Sequence, residues 1–535
     1  MKSLGYLPYL LLTVVVGVYL FSFIGFDGIF GDLGDARLNN YFLEHGYQFI
    51  AGNHASFWSP AFFYPSEYVM AYSDNHMGTL PFYAFFRLLG FSIESSFQFW
   101  IFVIFLLNAL VCYGVLRFFG FNVAGSIAGA LLFALAAPVM LKTNHIQLMP
   151  RFMVPVVFYV GVRFVESLDA KYFYIFCAAL VYQFYIGIYI GFFILMGLVL
   201  LAPFVIAYIF KNHNLSAFFA PKCLAKLFFT CSVSLGLLFA LFYPYVLQSV
   251  SSGGRPWAEI ASMLPRIESW FYTSGSFFGV FNRLGTDLPM QHEHMMFLGL
   301  VPYALYAMGL VFYIKKPSLS CGSDISVFAS LLLVPMFAIF TLSIYDWSLY
   351  GYTFYLIPGF DAIRAVSRVV VFLVFLFSVL VAYVFTQISQ SNLNNYIKFG
   401  AISAIFMLGC FEQYRPYLST YSKPQAQQRY HDIYNQIKSL DYDVLYLSSP
   451  VPNPAFYMTE LDAMYVLLIS TKPTINGYSG NKPPLYPLYE TNDYMQWINI
   501  NKDAFDDKVL LVYDTTTSTH KLIPISSAKS KNTNP

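Results

Sequence analysis

The feature that most constrains this chain is a succession of long apolar runs almost free of charge. Runs approaching the ~20 residues that cross a ~30 Å hydrocarbon core fall at 6–25, 99–118, 123–140, 152–165, 172–186 and 189–210. Others fall at 227–247, 295–314, 327–344, 369–385 and 397–410. The pattern gives about eleven spans, with 152–165 and 172–186 short and a soft boundary at Gly187. A re-entrant 345–358 stretch would change that number. Only 11% of the 535 residues are charged, against about a quarter in soluble proteins. The expected fold class is an α-helical polytopic membrane protein. A net charge of +2 gives no reason to expect nucleic acid as a partner.

The first run is long and ends in bulky residues without a small-residue cleavage pattern, so it reads as an uncleaved helix. The six cysteines (Cys112, Cys177, Cys223, Cys231, Cys321, Cys410) show no metal-ligand spacing and imply no disulfide framework. Short loops rich in lysine and arginine mark the cytoplasmic side. They hold Lys2, Arg117, Lys171, Lys211, Lys222, Lys226, Lys315, Lys316 and Lys398. With the N-terminus cytoplasmic, segments 31–83, 141–151, 250–293 and 345–368 share the outer face, as does everything after Gln413. The later part of the chain changes composition and alternates a helix at 425–440, a strand at 443–448, a helix at 459–469 and a strand at 508–513. The expected division is a transmembrane domain at 1–413 with a long outer loop at 27–97, a small extracytoplasmic α/β domain at 414–525, and a disordered tail at 526–535.

Chemistry concentrates in the first outer loop. Asp35, just past the first span, is placed either to take a proton from an acceptor hydroxyl or hold a cation, or to cap the following helix. Asp32 has the weaker claim. Asp74 is a second carboxylate of the site or a turn residue. The run 38–47 carries an apolar stripe too short to span, which suits a helix in the membrane interface. His145, in LKTNHIQLMPR, is a metal ligand, a base or a hydrogen-bond donor, or a histidine that only satisfies its loop. His292, Glu293 and His294 alternate imidazoles and lack a third partner at defined spacing for a metal. Arg364 and Arg368 are four apart, so a helix would put both on one face, suited to a lipid phosphate. Their alternatives are a salt bridge to Asp361 or snorkelling to phospholipid.

The landmarks Gly34-Asp35-Ala36-Arg37 with Leu43-Glu44, Pro358 to Arg364 and Arg368, His294 to Gly299, and Asn476-Gly477-Tyr478-Ser479-Gly480 before Pro483 resemble those of GT-C glycosyltransferases. The closer resemblance is to bacterial GT-C-like membrane proteins, YfhO-type proteins among them. It implies transfer of a sugar from a polyprenyl-phosphate-linked donor to a cell-envelope glycan, lipid or protein acceptor, outside the inner (cytoplasmic) membrane of a bacterium. Under it, Asp35, His145 and Asp74 are the catalytic candidates. Arg364, Arg368 and Arg37 bind the donor phosphate, and Glu293, Asn476 and Tyr478 meet the acceptor. The one cofactor it admits is a divalent cation, magnesium or manganese, with Asp35 the only good ligand. Many members carry a second acidic motif between spans three and four. This chain has Asn144-His145-Ile146-Gln147 there, which fits a metal-free mechanism. A lipid or glycan transporter (a flippase) and a non-catalytic membrane scaffold are the competing functions.

Overall fold

The computed structural model describes residues 5–214, 220–345, 347–357, 359–450 and 453–525. Lys2, Pro358 and the 526–535 tail lie outside the described residues. Among those described, eight helices are long and apolar enough to cross a membrane: Leu7–Ile24, Ile93–Phe118, Val123–Met140, Ile146–Ser167, Ile188–Asn212, Pro221–Ser252, Gly322–Thr341 and Val366–Gln390. The protein is a helical membrane protein. Two more of the expected runs form shorter apolar helices, Ala170–Ile186 and Leu300–Lys315. The 397–410 run lies within the helix Asn395–Gln413. Where a re-entrant stretch was conceivable, the strands Ser343–Ile344 and Trp347–Ser348 pair antiparallel and the helix Leu349–Leu356 follows.

The chain forms two compact units. The first comprises Met1–Gly25, Trp100–Leu241 and Gly254–Ser419; the second comprises Phe26–Phe99, Phe242–Gly253 and Thr420–Pro535.

In the first unit the helix Val369–Gln390 is the core. Its sequence is apolar on every face, as a helix surrounded by other helices requires, and nearly every residue from Val369 to Ile388 is buried. The helix Val123–Leu135 packs directly on it, because Gly125 and Gly129 remove side chains from the contact. A Cβ on Gly125 would sit 2.7 Å from the Ala382 carbonyl oxygen, and one on Gly129 would sit 2.6 Å from that of Ser378. Small residues four apart permit this backbone-to-backbone approach. The helix stops at Ala136, whose extended ψ of 141° precedes the short helix Ala137–Met140. Elsewhere in this unit the Glu412 carboxylate accepts the orphan N–H groups of Leu300 and Val301 at the start of Leu300–Lys315, a favourable place for negative charge.

The second unit is built around the helix Asp35–Ile50. Residues 36 to 46 are buried without interruption, so the expected interfacial helix is instead a core helix. Its amphipathic stripe did not reveal that distant segments cover the polar side too. Before it, the strand Gly28–Phe30 pairs antiparallel with Thr420–Ser422. The helices Lys423–Ile437 and Phe456–Ser470 and the strands Val444–Ser448 and Lys508–Asp514 lie close to the expected positions. The two strands pair in parallel, and a further strand, Thr519–Ile525, extends the sheet antiparallel to Lys508–Asp514.

Candidate functional site

Asp35 opens its helix without capping it. Gly34 is the N-cap residue and provides no side chain. Asp32 does the capping instead, its Oδ1 accepting from the N–H groups of Gly34 (3.1 Å) and Ala36 (3.2 Å). The Asp35 carboxylate lies in the first helical turn, where the aligned peptide dipoles favour an anion, and the Tyr478 hydroxyl donates to its Oδ1 at 2.8 Å. Burial, and then the Asp35 charge, push the Tyr478 phenol up, which keeps it a proton-bearing donor.

Three features of the Asn476-Gly477-Tyr478 turn hold that hydroxyl in place. Asn476 is fully buried and bridges the chain, donating to the Leu447 carbonyl (2.9 Å) and accepting the Leu447 N–H (2.7 Å). Gly477 lies against Phe63, whose ring would be 2.5 Å from a Cβ there. Glu460 accepts the Gly477 N–H at 2.7 Å. Asn476 therefore shapes the turn, and Tyr478 is the member of the motif that reaches Asp35. Asp74 is buried in the neighbouring loop. That loop is joined to the Asp35 turn through His76, whose Nε2 lies 2.6 Å from Asn39 Oδ1, while Asn39 donates to the Asp35 carbonyl at 2.6 Å.

Arg37 takes a different place from the one expected. It is 1% exposed, its Nη1 lies 2.6 Å from Asp462, and its guanidinium sits 4.5 Å from the Tyr465 ring centre. Arg429 holds the other Asp462 oxygen at 2.6 Å. Closed off in this way, Arg37 ties two helices together and presents nothing to a phosphate.

In the first unit the structure gathers a second cluster around Glu293. Lys142 Nζ lies 3.1 Å from its Oε2, His145 Nε2 lies 3.2 Å from its Oε1, and Arg368 Nε lies 3.2 Å from both oxygens. Burial pushes the Glu293 carboxyl up, but Arg368 and Lys142 together outweigh it and hold the group well below the usual range. Arg368 also stacks over Tyr189, 5.2 Å from the ring centre, and the Tyr189 hydroxyl accepts the N–H groups of Arg364 and Ala365.

The two arginines do not share a helix face. Arg364 lies between the single turns Phe360–Ala362 and Val366–Arg368, and the flanking Ile363 and Ala365 are extended. Its Nε pairs with Glu259 at 2.7 Å. The helical reading fails because the regular helix begins only at Val369. The anticipated carboxylate, Asp361, is displaced by Glu259 and Glu293.

His145 supplies the third partner that the His292–Glu293–His294 run lacks. Ligand atoms of His145, His292 and Glu293 all lie within 4.8 Å of one another. His294 is used elsewhere, 2.8 Å from Ser269 Oγ and 2.9 Å from the Ser262 carbonyl. The trio does not suit a divalent ion, because Lys142 and Arg368 already place two fixed positive charges on the same carboxylate. Each would repel a unit charge at 4 Å by about 4 kcal/mol at an effective dielectric of about 20, and a divalent ion by about twice that. Around Asp35 the donor set is no better, since its close partner is a phenol O–H that itself donates.

Lys142, Glu460 and Asp462 escaped the sequence reading. A lysine in a loop expected on the outer face, where the positive-inside tendency would disfavour it, and two carboxylates within the otherwise apolar run of Phe456–Ser470 were the available signals. No family model matches the chain, and no curated protein matches it either.

Proposed function

We propose that this protein is a membrane glycosyltransferase that moves a sugar from a polyprenyl-phosphate-linked donor to an acceptor hydroxyl outside a bacterial inner membrane. The observation that carries the reading is the Asp35 carboxylate. It is left out of helix capping by Asp32, sits in the first turn of a buried helix, and is oriented by the Tyr478 phenol. A carboxylate whose orientation is set by a neighbouring hydroxyl is suited to accept a proton in a reaction.

In the proposed step the acceptor oxygen bonds to the anomeric carbon as its proton passes to Asp35. The bond from that carbon to the lipid phosphate breaks, and the phosphate leaves with the electron pair. The finer topology belongs to this reading as well: about eleven spans, a cytoplasmic N-terminus, and the sheet and helices after Thr420 as an extracytoplasmic α/β domain.

The transporter reading has less support. Arg151 is a fully buried cation near the start of a span, and its guanidinium is bound by the carbonyl oxygens of Phe133 (2.8 Å), Val371 (3.0 Å) and Met149 (3.4 Å). A cation fixed to backbone in this way is a structural anchor rather than a moving charge.

The test is Asp35→Asn, made in the full chain and returned to membranes that lack the wild-type protein. Loss of glycan transfer with normal membrane levels is expected. Full transfer by this variant would refute the assignment of Asp35, and lost lipid translocation with no sugar transferred by the wild type would favour a flippase.

A further inference from the structure

Beside Asp35 the second unit carries a half-buried group of aromatic rings, of which the proposed reaction uses only the Tyr478 hydroxyl. Tyr457 and Tyr478 lie 5.9 Å apart, Phe456 lies 6.3 Å from Tyr478, and Tyr489 lies 4.6 Å from Phe456. All four are partly exposed. The Tyr457 ring covers the start of the Asp35 helix closely, 3.2 Å from where a Cβ on Gly34 would be. Asp32 and Asp35, both partly exposed, act electrostatically on the Tyr478 phenol.

These rings offer flat apolar faces, and carboxylates and phenol oxygens border them. A lipid chain would meet two carboxylates it has no use for. A peptide would be expected to find backbone partners, an open sheet edge or a groove, and none of these groups provides one. A saccharide matches both halves, because the C–H face of a pyranose packs on an aromatic ring and its hydroxyls donate to carboxylate oxygens.

We infer that Tyr457 and Tyr478, with Asp32 and Asp35 at their edge, form a saccharide subsite, and that the acceptor is therefore a glycan hydroxyl. This rests on the proposed transferase reading and narrows its acceptor to one class. Tyr457 is the stacking platform. Tyr478 both contacts the sugar and positions Asp35.

The experiment measures binding separately from transfer. The full chain in detergent, as wild type, Asp35→Asn, Tyr457→Ala and Tyr457→Phe, is titrated with neutral hexose oligosaccharides. A serine- and threonine-containing peptide and a short polyprenol are titrated in parallel. Saturable binding of the oligosaccharides and not of the peptide is expected, with polyprenol binding at the donor site indifferent to Tyr457→Ala. Oligosaccharide binding should be about tenfold weaker in Tyr457→Ala and restored in Tyr457→Phe, which keeps the ring and reports on folding. Binding by the peptide instead, polyprenol binding that Tyr457→Ala weakens, or oligosaccharide binding that ignores Tyr457→Ala, overturns the subsite. If Asp35→Asn binds oligosaccharide yet still transfers, the catalytic reading fails while the subsite stands. If transfer is lost in Asp35→Asn but no oligosaccharide binds wild type, the subsite fails while the catalytic reading stands.

Discussion

Two carboxylates three residues apart, Asp32 and Asp35, divide the work at the start of one helix. The first satisfies backbone N–H groups and the second meets a side-chain hydroxyl. From sequence alone, capping and chemistry both fell to Asp35, because spacing does not say which of two nearby acids turns back onto the helix. Arg37 shows the same limit. Its motif position pointed outward, but its partner Asp462 is 425 residues away, and no local pattern records such a pairing. Replacing Arg37 by Ala removes one partner of a buried ion pair, a change that typically costs 3–5 kcal/mol. Arg429 remains on Asp462, so a loss at the lower end, about 3 kcal/mol, is expected as a lowered thermal midpoint of the purified protein. An unchanged midpoint would mean that the pair contributes no stability.

At the scale of elements, the apolar runs were readable because a span of hydrocarbon thickness demands length and composition together. The helices after Thr420 were readable from their periodicity. Arg364 was misjudged because two single turns and an extended link precede the helix proper, and an i,i+4 spacing carries meaning only on a continuous helix. Close helix contact, by comparison, was written in small residues whose partners could not be seen. The approach of Val123–Leu135 to Val369–Gln390 depends on backbone meeting backbone at Gly129, and a carbonyl oxygen cannot rotate away as a side chain can. Gly129→Val should therefore lower the melting temperature in detergent by several degrees, consistent with an overpacking cost of about 1–3 kcal/mol. Gly236→Ala, where a new Cβ meets nothing within 4 Å, is the matched control and should leave stability unchanged or raised. Equal effects at both positions would count against the close-contact explanation.

Across the whole molecule, the second unit contains buried titratable groups with opposing demands. Burial pushes the Glu460 carboxyl up to about 8, against hydrogen bonds from Gly477, Asn476 and Tyr486. Burial lowers His45 and His76 to about 3 each. Folded Glu460 keeps its proton where an unfolded glutamate, near pH ~4.3, has lost it. Its contribution is thus complete below that pH and is lost as pH rises through about 8. The histidines work the other way. Their contribution is present above the unfolded value of ~6.5 and is lost as pH falls towards about 3. Stability should peak near pH ~6.5. In Glu460→Gln the decline between about 6.5 and 8 should disappear while the acid-side loss remains, as read from thermal midpoints across that range. A decline that persists in the variant would place its origin elsewhere.

The pairing of Phe30 with Thr420 also has a consequence in time. On a ribosome adding about 5–20 residues per second, the first strand waits roughly 20–80 s for its partner to be made. Throughout that interval the buried Asp35–Ile50 helix lacks the Phe456–Ser470 helix that carries Asp462. Its polar groups must be kept from wrong partners until the last fifth of the chain arrives. The unit therefore closes late in synthesis, and until then the Asp35–Ile50 helix is without the cover it has in the finished fold.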